Sequence, residues 1–281
     1  MRFDYTTVGH VTLDVMPDGT RRPGGSAFYS ALQAARLGRR VQILTRGVVA
    51  EIEELLAPYS ENFELRVQPA PCTTSLATSG KGPTRAQRVL AWAGPIELSE
   101  PLDTALLHLA PVARETVDQW AGRADFVGLT PQGLLRFWST ETPRIVLRTP
   151  QPSPLFERCD AIVLSQAELP SFAQLLAEPA PRAQAGARPL VAVTDEAAPT
   201  ELRLPNGQVV RLAVPPVPEI RDETGAGDVF AAAFFIALAD GEEPRRAAAF
   251  ANAAGAVRVA GLGPKAIGDR SAIAARQTAV A

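Results

Sequence analysis

Histidine and cysteine are almost missing from these 281 residues: His10, His108, Cys72 and Cys159 are the whole supply, and they lie far apart in the chain. No spacing among them fits a zinc site or a disulfide framework, so free thiols in a reducing cytoplasm are expected. Long apolar runs are lacking as well. Even Val229 to Ala239 falls well short of a membrane span, and the opening Met-Arg-Phe-Asp runs straight into strand-like sequence without the pattern of a signal peptide. Excess charge of one sign is also absent. With 28 basic and 30 acidic residues the net charge is −2, which offers no basic field to nucleic acid or to an anionic membrane. A phosphorylated ligand would need local help.

What is present is a core. Hydrophobic residues make up 46% of the chain, enough for one large α/β domain. Compact apolar runs recur at Tyr5–Val8, Val41–Thr45, Ala105–Leu109, Phe126–Thr130, Ile145–Leu147, Ala161–Leu164 and Leu190–Thr194, separated by helix-length spacers such as Arg114 to Trp120. Runs of this kind between helices predict parallel strands buried on both faces, in a Rossmann-like three-layer α/β/α sheet. Phe63–Val67, Thr73–Ala77 and Gln87–Ala91 instead read as short, partly exposed strands around a turn at Gly80 to Pro83. Leu202–Leu204 and Val209–Val214 form a hairpin across Asn206-Gly207, and Ala177 to Pro189 reads as an Ala/Pro-rich loop.

The most informative stretch is Arg221-Asp222-Glu223-Thr224-Gly225-Ala226-Gly227-Asp228, which opens the apolar run to Ala239. Glycines at a helix start let unpaired amides and the positive end of the dipole face a ligand, and a phosphate is the natural guest. A carboxylate among such amides has two readings. Asp228 either caps the helix or accepts a proton from a hydroxyl that attacks phosphorus. Near the other end, Asp14 follows the first strand, where open α/β sheets place ligands, although a turn aspartate reads the same way. Gly24-Gly25-Ser26 then precedes a helix from Ala27 to Leu37, with Ser26 as N-cap and Gly38 as its stop.

Asp222-Glu223-Thr224-Gly225-Ala226-Gly227-Asp228 resembles the C-terminal signature of the ribokinase (pfkB-type) family of carbohydrate and nucleoside kinases, and Gly24-Gly25 with Ala35-Arg36-Leu37-Gly38 resembles its N-terminal signature. The resemblance implies a single ribokinase-like kinase domain over residues 1–281, with a small β lid from about 63–95 that covers the substrate and serves as a homodimer surface. It implies Asp228 as general base and the amides of Gly225, Ala226 and Gly227 as anion hole. Thr194, Thr224, Gly225 and Gly227 would face an ATP donor, Glu168 would organise Mg²⁺, and backbone near Asp222 would hold a monovalent cation such as K⁺. Asp14, Gly24, Gly25, Ser26, Gln87, Arg88 and Gln132 would position the acceptor. Arg85-Ala86-Gln87-Arg88-Val89-Leu90 with Ala93-Gly94-Pro95-Ile96 is closest to the myo-inositol kinase branch, which favours a small carbohydrate or cyclitol; Arg85 and Arg88 read equally as a solvated strand face.

Three departures stand out. Ser165 replaces the Asn of the family's Asn-x-x-Glu, the turn after Thr45 lacks its Asp, and Asp195-Glu196 occupies a turn that in relatives carries glycine against the nucleotide. Two carboxylates there disfavour a triphosphate unless they point away. The alternatives are therefore a nucleoside kinase, or a nucleotide- or sugar-binding protein that keeps the fold without turnover.

Overall fold

The computed structural model describes residues 2–80, 86–116, 119–151, 153–177 and 189–278. Arg85, most of the Gly80–Pro83 turn and most of the Ala177–Pro189 loop lie outside the described residues. The strands are β1 (Phe3–Val8), β2 (Thr12–Val15), β3 (Arg21–Gly24), β4 (Val41–Gly47), β5 (Glu64–Pro69), β6 (Ser75–Ser79), β7 (Ala86–Ala91), β8 (Leu102–Leu109), β9 (Gly122–Leu129), β10 (Arg136–Phe137), β11 (Val146–Leu147), β12 (Ala161–Ser165), β13 (Leu190–Asp195), β14 (Ala198–Arg203) and β15 (Val209–Leu212). The helices are α1 (Ser26–Arg36), α2 (Val49–Leu56), α3 (Gln132–Leu135), α4 (Leu169–Ala177), α5 (Ala226–Ala239), α6 (Pro244–Val259) and α7 (Arg270–Thr278).

Nine strands make one sheet in the order β15-β14-β13-β12-β9-β8-β1-β4-β5. Pairing is parallel from β13 to β5, and only β14 runs against it, paired antiparallel with both β13 and β15. Period-two alternation divides the apolar strand residues between two cores. On one face Tyr5, Ile43, Leu106, Val163 and Ala192 pack against α1, α5, α6 and α7. Helix α5 is apolar all round because it lies in this layer, with Val229 to Ala237 buried. On the other face Leu107, Leu109, Val127, Leu164 and Val191 pack against Leu155 and against Phe172 of α4. The architecture is the expected three-layer α/β/α sheet.

Some boundaries differ from the sequence reading. A separate four-stranded sheet, β3-β2-β6-β7, takes in the strands of residues 12–24, whereas β5, expected in the small sheet, is the edge strand of the main sheet. Strand β2 pairs in parallel with β6, which brings Asp14 opposite Leu76. Short alternating strands look alike in either sheet, and only long-range pairing separates them. Val146 and Leu147 form a two-residue ribbon with β10 instead of a main-sheet strand. Between β8 and β9 there is no helix among the described residues. Glu115 is instead fully buried there, its carboxylate accepting the amides of His10, Val112 and Ala113 at 2.6–2.8 Å. That carboxylate ties the chain leaving β1 to the chain leaving β8.

Candidate functional site

The parallel strands all end on one side, and the four-stranded sheet brings Thr12, Asp14, Leu76 and Gln87 to a cavity with the start of α5. Helix α5 begins there. Its N-cap is Gly225, at φ 78° in the left-handed region that favours glycine, and a side chain at that position would fall within 3.0 Å of the Tyr29 ring. Asp228 is therefore not the cap; it stands in the first turn, half-buried, and its main-chain carbonyl accepts Ser30 Oγ at 3.2 Å. The Ala226 amide donates to the Glu223 carbonyl at 3.2 Å, and the first-turn residues Ala226, Gly227 and Asp228 share the most positive end of the dipole.

Gly225 to Asp228, with Glu223 and Thr224, form one wall of that cavity, whose opposite wall is Thr12, Asp14, Leu76 and Gln87 from the four-stranded sheet. Gly25, Ser26 and Tyr29 at the start of α1 form its floor, and Val112, Gln132 and Arg136 close the end beyond β8 and β9. Residues from both signatures thus meet across one space. Gly25 and not Ser26 is the N-cap of α1, with φ 92°; a side chain there would overlap the His10 carbonyl, and Ser26 is the buried first residue of the helix. A side chain at Gly24 would overlap the Asp14 carboxylate. Gly24 therefore leaves room for Asp14, whose Oδ1 accepts Thr12 Oγ1 at 2.8 Å.

Gln87 and Gln132 line the cavity, but Arg88 does not. Adjacent strand residues face opposite sides, so with Gln87 turned inward Arg88, expected to meet the acceptor, is exposed outside this cavity. An unforeseen arginine takes its place. Arg136, 7% exposed, donates to Gln87 Oε1 at 2.8 Å and to the Val112 carbonyl at 3.0 Å. One signal pointed to it: Arg136 follows Gln132 by four residues inside an apolar run. Tyr29, three residues after Ser26 in α1, was recoverable from helical spacing.

Glu168 and Thr194 sit at the C-terminal ends of β12 and β13 and do not line this cavity. Glu168 is buried, and its Oε2 accepts both the amide and the hydroxyl of Ser165, at 2.8 and 2.9 Å. Ser165 thus orients the carboxylate. Among the described residues no cluster of three or more histidine, cysteine or acidic side chains is placed to hold a metal ion. A single carboxylate at this edge does suit Mg²⁺, which keeps most of its waters and takes substrate phosphates as ligands. Asp195 and Glu196 are exposed on the β13–β14 turn, and Glu196 adopts φ 48°, the conformation a glycine would take there.

The loop before α5 does not fit a free monovalent cation. Asp222 Oδ2 already accepts Arg258 Nη2 at 2.8 Å and the Gly263 amide at 3.0 Å, while its Oδ1 accepts the Thr224 amide at 3.0 Å. Burial acts to raise the Asp222 pKa, but the hydrogen bond and charge of Arg258, with the Thr224 amide, outweigh it and hold the carboxyl down to about 2. Burial also pushes the Tyr29 phenol well up, against the lowering influence of Arg258.

Comparison with known proteins agrees with this geometry. The profile of the pfkB family carbohydrate kinases matches residues 107–267, more than half of the chain, and the protein belongs to that family. It is a carbohydrate kinase of the ribokinase type. No curated protein matches the sequence. Among solved structures, a pyrophosphate-dependent kinase in the ribokinase family, complexed with a pyrophosphate analogue and myo-inositol, is 20% identical with a TM-score of 0.74 over 92% of this chain and 96% of its own. Ribokinase of Arabidopsis thaliana, complexed with ribose and ATP, is 17% identical with a TM-score of 0.71 over 99% of both chains. The nucleoside kinase of Burkholderia thailandensis, in complex with inosine, is 16% identical with a TM-score of 0.76 over 98% of this chain and 97% of its own. At such identities the likeness is one of fold.

Proposed function

We propose that this kinase is a single catalytic domain that transfers the γ-phosphoryl group of ATP to a hydroxyl of a small carbohydrate or cyclitol, with a myo-inositol-like polyol as the favoured acceptor. The observation that carries the reading is Asp228 in the first turn of α5, beside the amides that follow Gly225 and across one cavity from Asp14. The acceptor hydroxyl gives its proton to the Asp228 carboxylate as its oxygen bonds to phosphorus. The amides of Gly225, Ala226 and Gly227 stabilise charge on the moving group, and Thr194 and Thr224 face the donor phosphates. Asp14, Ser26, Gln87 and Gln132 hold the other hydroxyls, with Gly24 and Gly25 allowing the backbone close; a neutral polyol is recognised by several such hydrogen bonds. Glu168 would be the residue that holds Mg²⁺, which would supply neutralisation of the phosphate charge. Leu90 and Trp92, 52% and 38% exposed along the lid, support pairing of two copies through that face.

Two further readings rest on particular observations. The Asp195-Glu196 turn lacks the glycine that would let the backbone come close to an adenosine, so a donor without adenosine is the alternative, and pyrophosphate is the candidate, as in the solved pyrophosphate-dependent kinase of the same fold. A nucleoside acceptor is less favoured, because Tyr29 is the only aromatic side chain among the described residues lining the cavity. The test is product release from ATP or pyrophosphate over a panel of myo-inositol, other cyclitols, ribose, fructose and adenosine, each run beside Asp228→Asn. Turnover that falls about 10²–10⁴-fold in the variant supports the base. Wild-type rates in the variant refute it.

A further inference from the structure

Arg258 is the largest fully buried side chain among the described residues. Its side chain is fully buried inside α6, and a guanidinium cut off from water is destabilising unless oxygens replace the water. Its partners are few and all oxygen: Asp222 Oδ2 at 2.8 Å, the Asp222 carbonyl at 3.3 Å and the Gly261 carbonyl at 3.4 Å. The Tyr29 ring lies beneath it, 5.7 Å away. One carboxylate and main-chain carbonyls around a single positive charge are the ligand chemistry of a weakly hydrated monovalent cation. The same contacts join the segment before the glycine turn to the segment after α6, where the Arg221 amide also bonds the Val259 carbonyl at 2.8 Å. Tyr29 in turn is the side chain against which Gly225 packs.

We propose that Arg258 is the resident cation of this loop, a positioning residue that replaces the monovalent ion implied by the family, so that phosphoryl transfer needs no K⁺. A tethered guanidinium cannot dissociate from the loop as a free ion can. It keeps Asp222 and both loops assembled three residues before the N-cap of α5. The turnover part of this inference rests on the kinase reading; the binding part does not.

The experiment compares KCl with tetramethylammonium chloride at equal ionic strength, on the whole protein, by thermal unfolding and by turnover. Wild type is expected to melt at the same temperature and turn over at the same rate in both salts. A wild-type midpoint or kcat that rises specifically with K⁺ overturns the proposal. Arg258→Met is expected to melt about 5–15 °C lower and to lose about 10²-fold in kcat in tetramethylammonium through displacement of the loop. Partial recovery of both in KCl, and retention of most function by Arg258→Lys, support the proposal; undiminished turnover of Arg258→Met in tetramethylammonium overturns it. Should Arg258→Met fail to fold, the Lys variant and the wild-type salt comparison still decide. Absence of turnover in wild type under both salts would count against the kinase reading, while the unfolding comparison would still decide whether a K⁺ site exists.

Discussion

Replacing Gly225 by alanine places one methyl group where the structure has no space for it. The residue sits at φ 78°, and the added carbon would lie within 3.0 Å of three atoms of the Tyr29 ring. The left-handed backbone costs an alanine about 1–2 kcal/mol. Displacing a packed ring adds about 1–3 kcal/mol, because Tyr29 is 5% exposed and wedged against Phe28. Together about 2–5 kcal/mol is expected, which moves the urea midpoint down by roughly 1 M or more. The same displacement turns the first amides of α5, so kcat should fall about 10²-fold. Gly227→Ala is the matched control. Nothing lies within 4 Å of its added carbon, its φ is not positive, and alanine is favoured in a helix by up to about 1 kcal/mol. It should fold at least as stably as wild type. If Gly225→Ala unfolds with wild type and keeps its kcat, the reasoning about this turn is refuted.

Other perturbations follow from single contacts. His108 is fully buried between Tyr5 and Thr130, and burial holds its pKa down to about 3. The unfolded chain, with its histidine near 6.5, therefore binds the extra proton first, so stability is full above pH 6.5 and falls by at most about 1.4 kcal/mol per pH unit toward pH 3. His108→Gln should flatten that slope in denaturant titrations between pH 7 and 5; an unchanged slope would remove His108 as its source. Gln87→Ala should raise KM for the acceptor about ten-fold, by opening a lid contact and leaving Arg136 a partner short, whereas Arg88→Ala on the outer face should leave KM unchanged. Equal effects in the two variants would show that the lid strand binds in the opposite register. Glu196→Gly should raise the unfolding midpoint by relieving about 1 kcal/mol of left-handed backbone strain. A lowered midpoint would mean that the glutamate makes a compensating contact.

Much of the site was legible because its chemistry is local. The glycine turn, the acidic residue at the start of an apolar helix and the Gly-Gly pair before α1 are short stretches whose backbone demands can be read residue by residue, and Gly25, Gly225, Gly227 and Asp228 line one cavity. The Asn206-Gly207 hairpin was equally readable, since its turn pair marks it directly. Arg88 could not be excluded by the same means: a strand alternates, but which of two neighbours faces inward depends on what the strand covers.

The sequence by itself determined the elements: where helices begin, where turns need glycine, and which eight residues bring amides and a carboxylate together. Only the tertiary structure decided the partnerships. It assigned β2 and β3 to the small sheet and β5 to the main sheet, put Glu115 under three amides, set Arg136 against Gln87, and buried Arg258 beside Asp222, 36 residues away in the chain. The reason is physical. Propensity and capping act within a few residues, whereas burying a charge or choosing a strand's neighbour is settled by whichever distant oxygen or edge the packed core brings within reach.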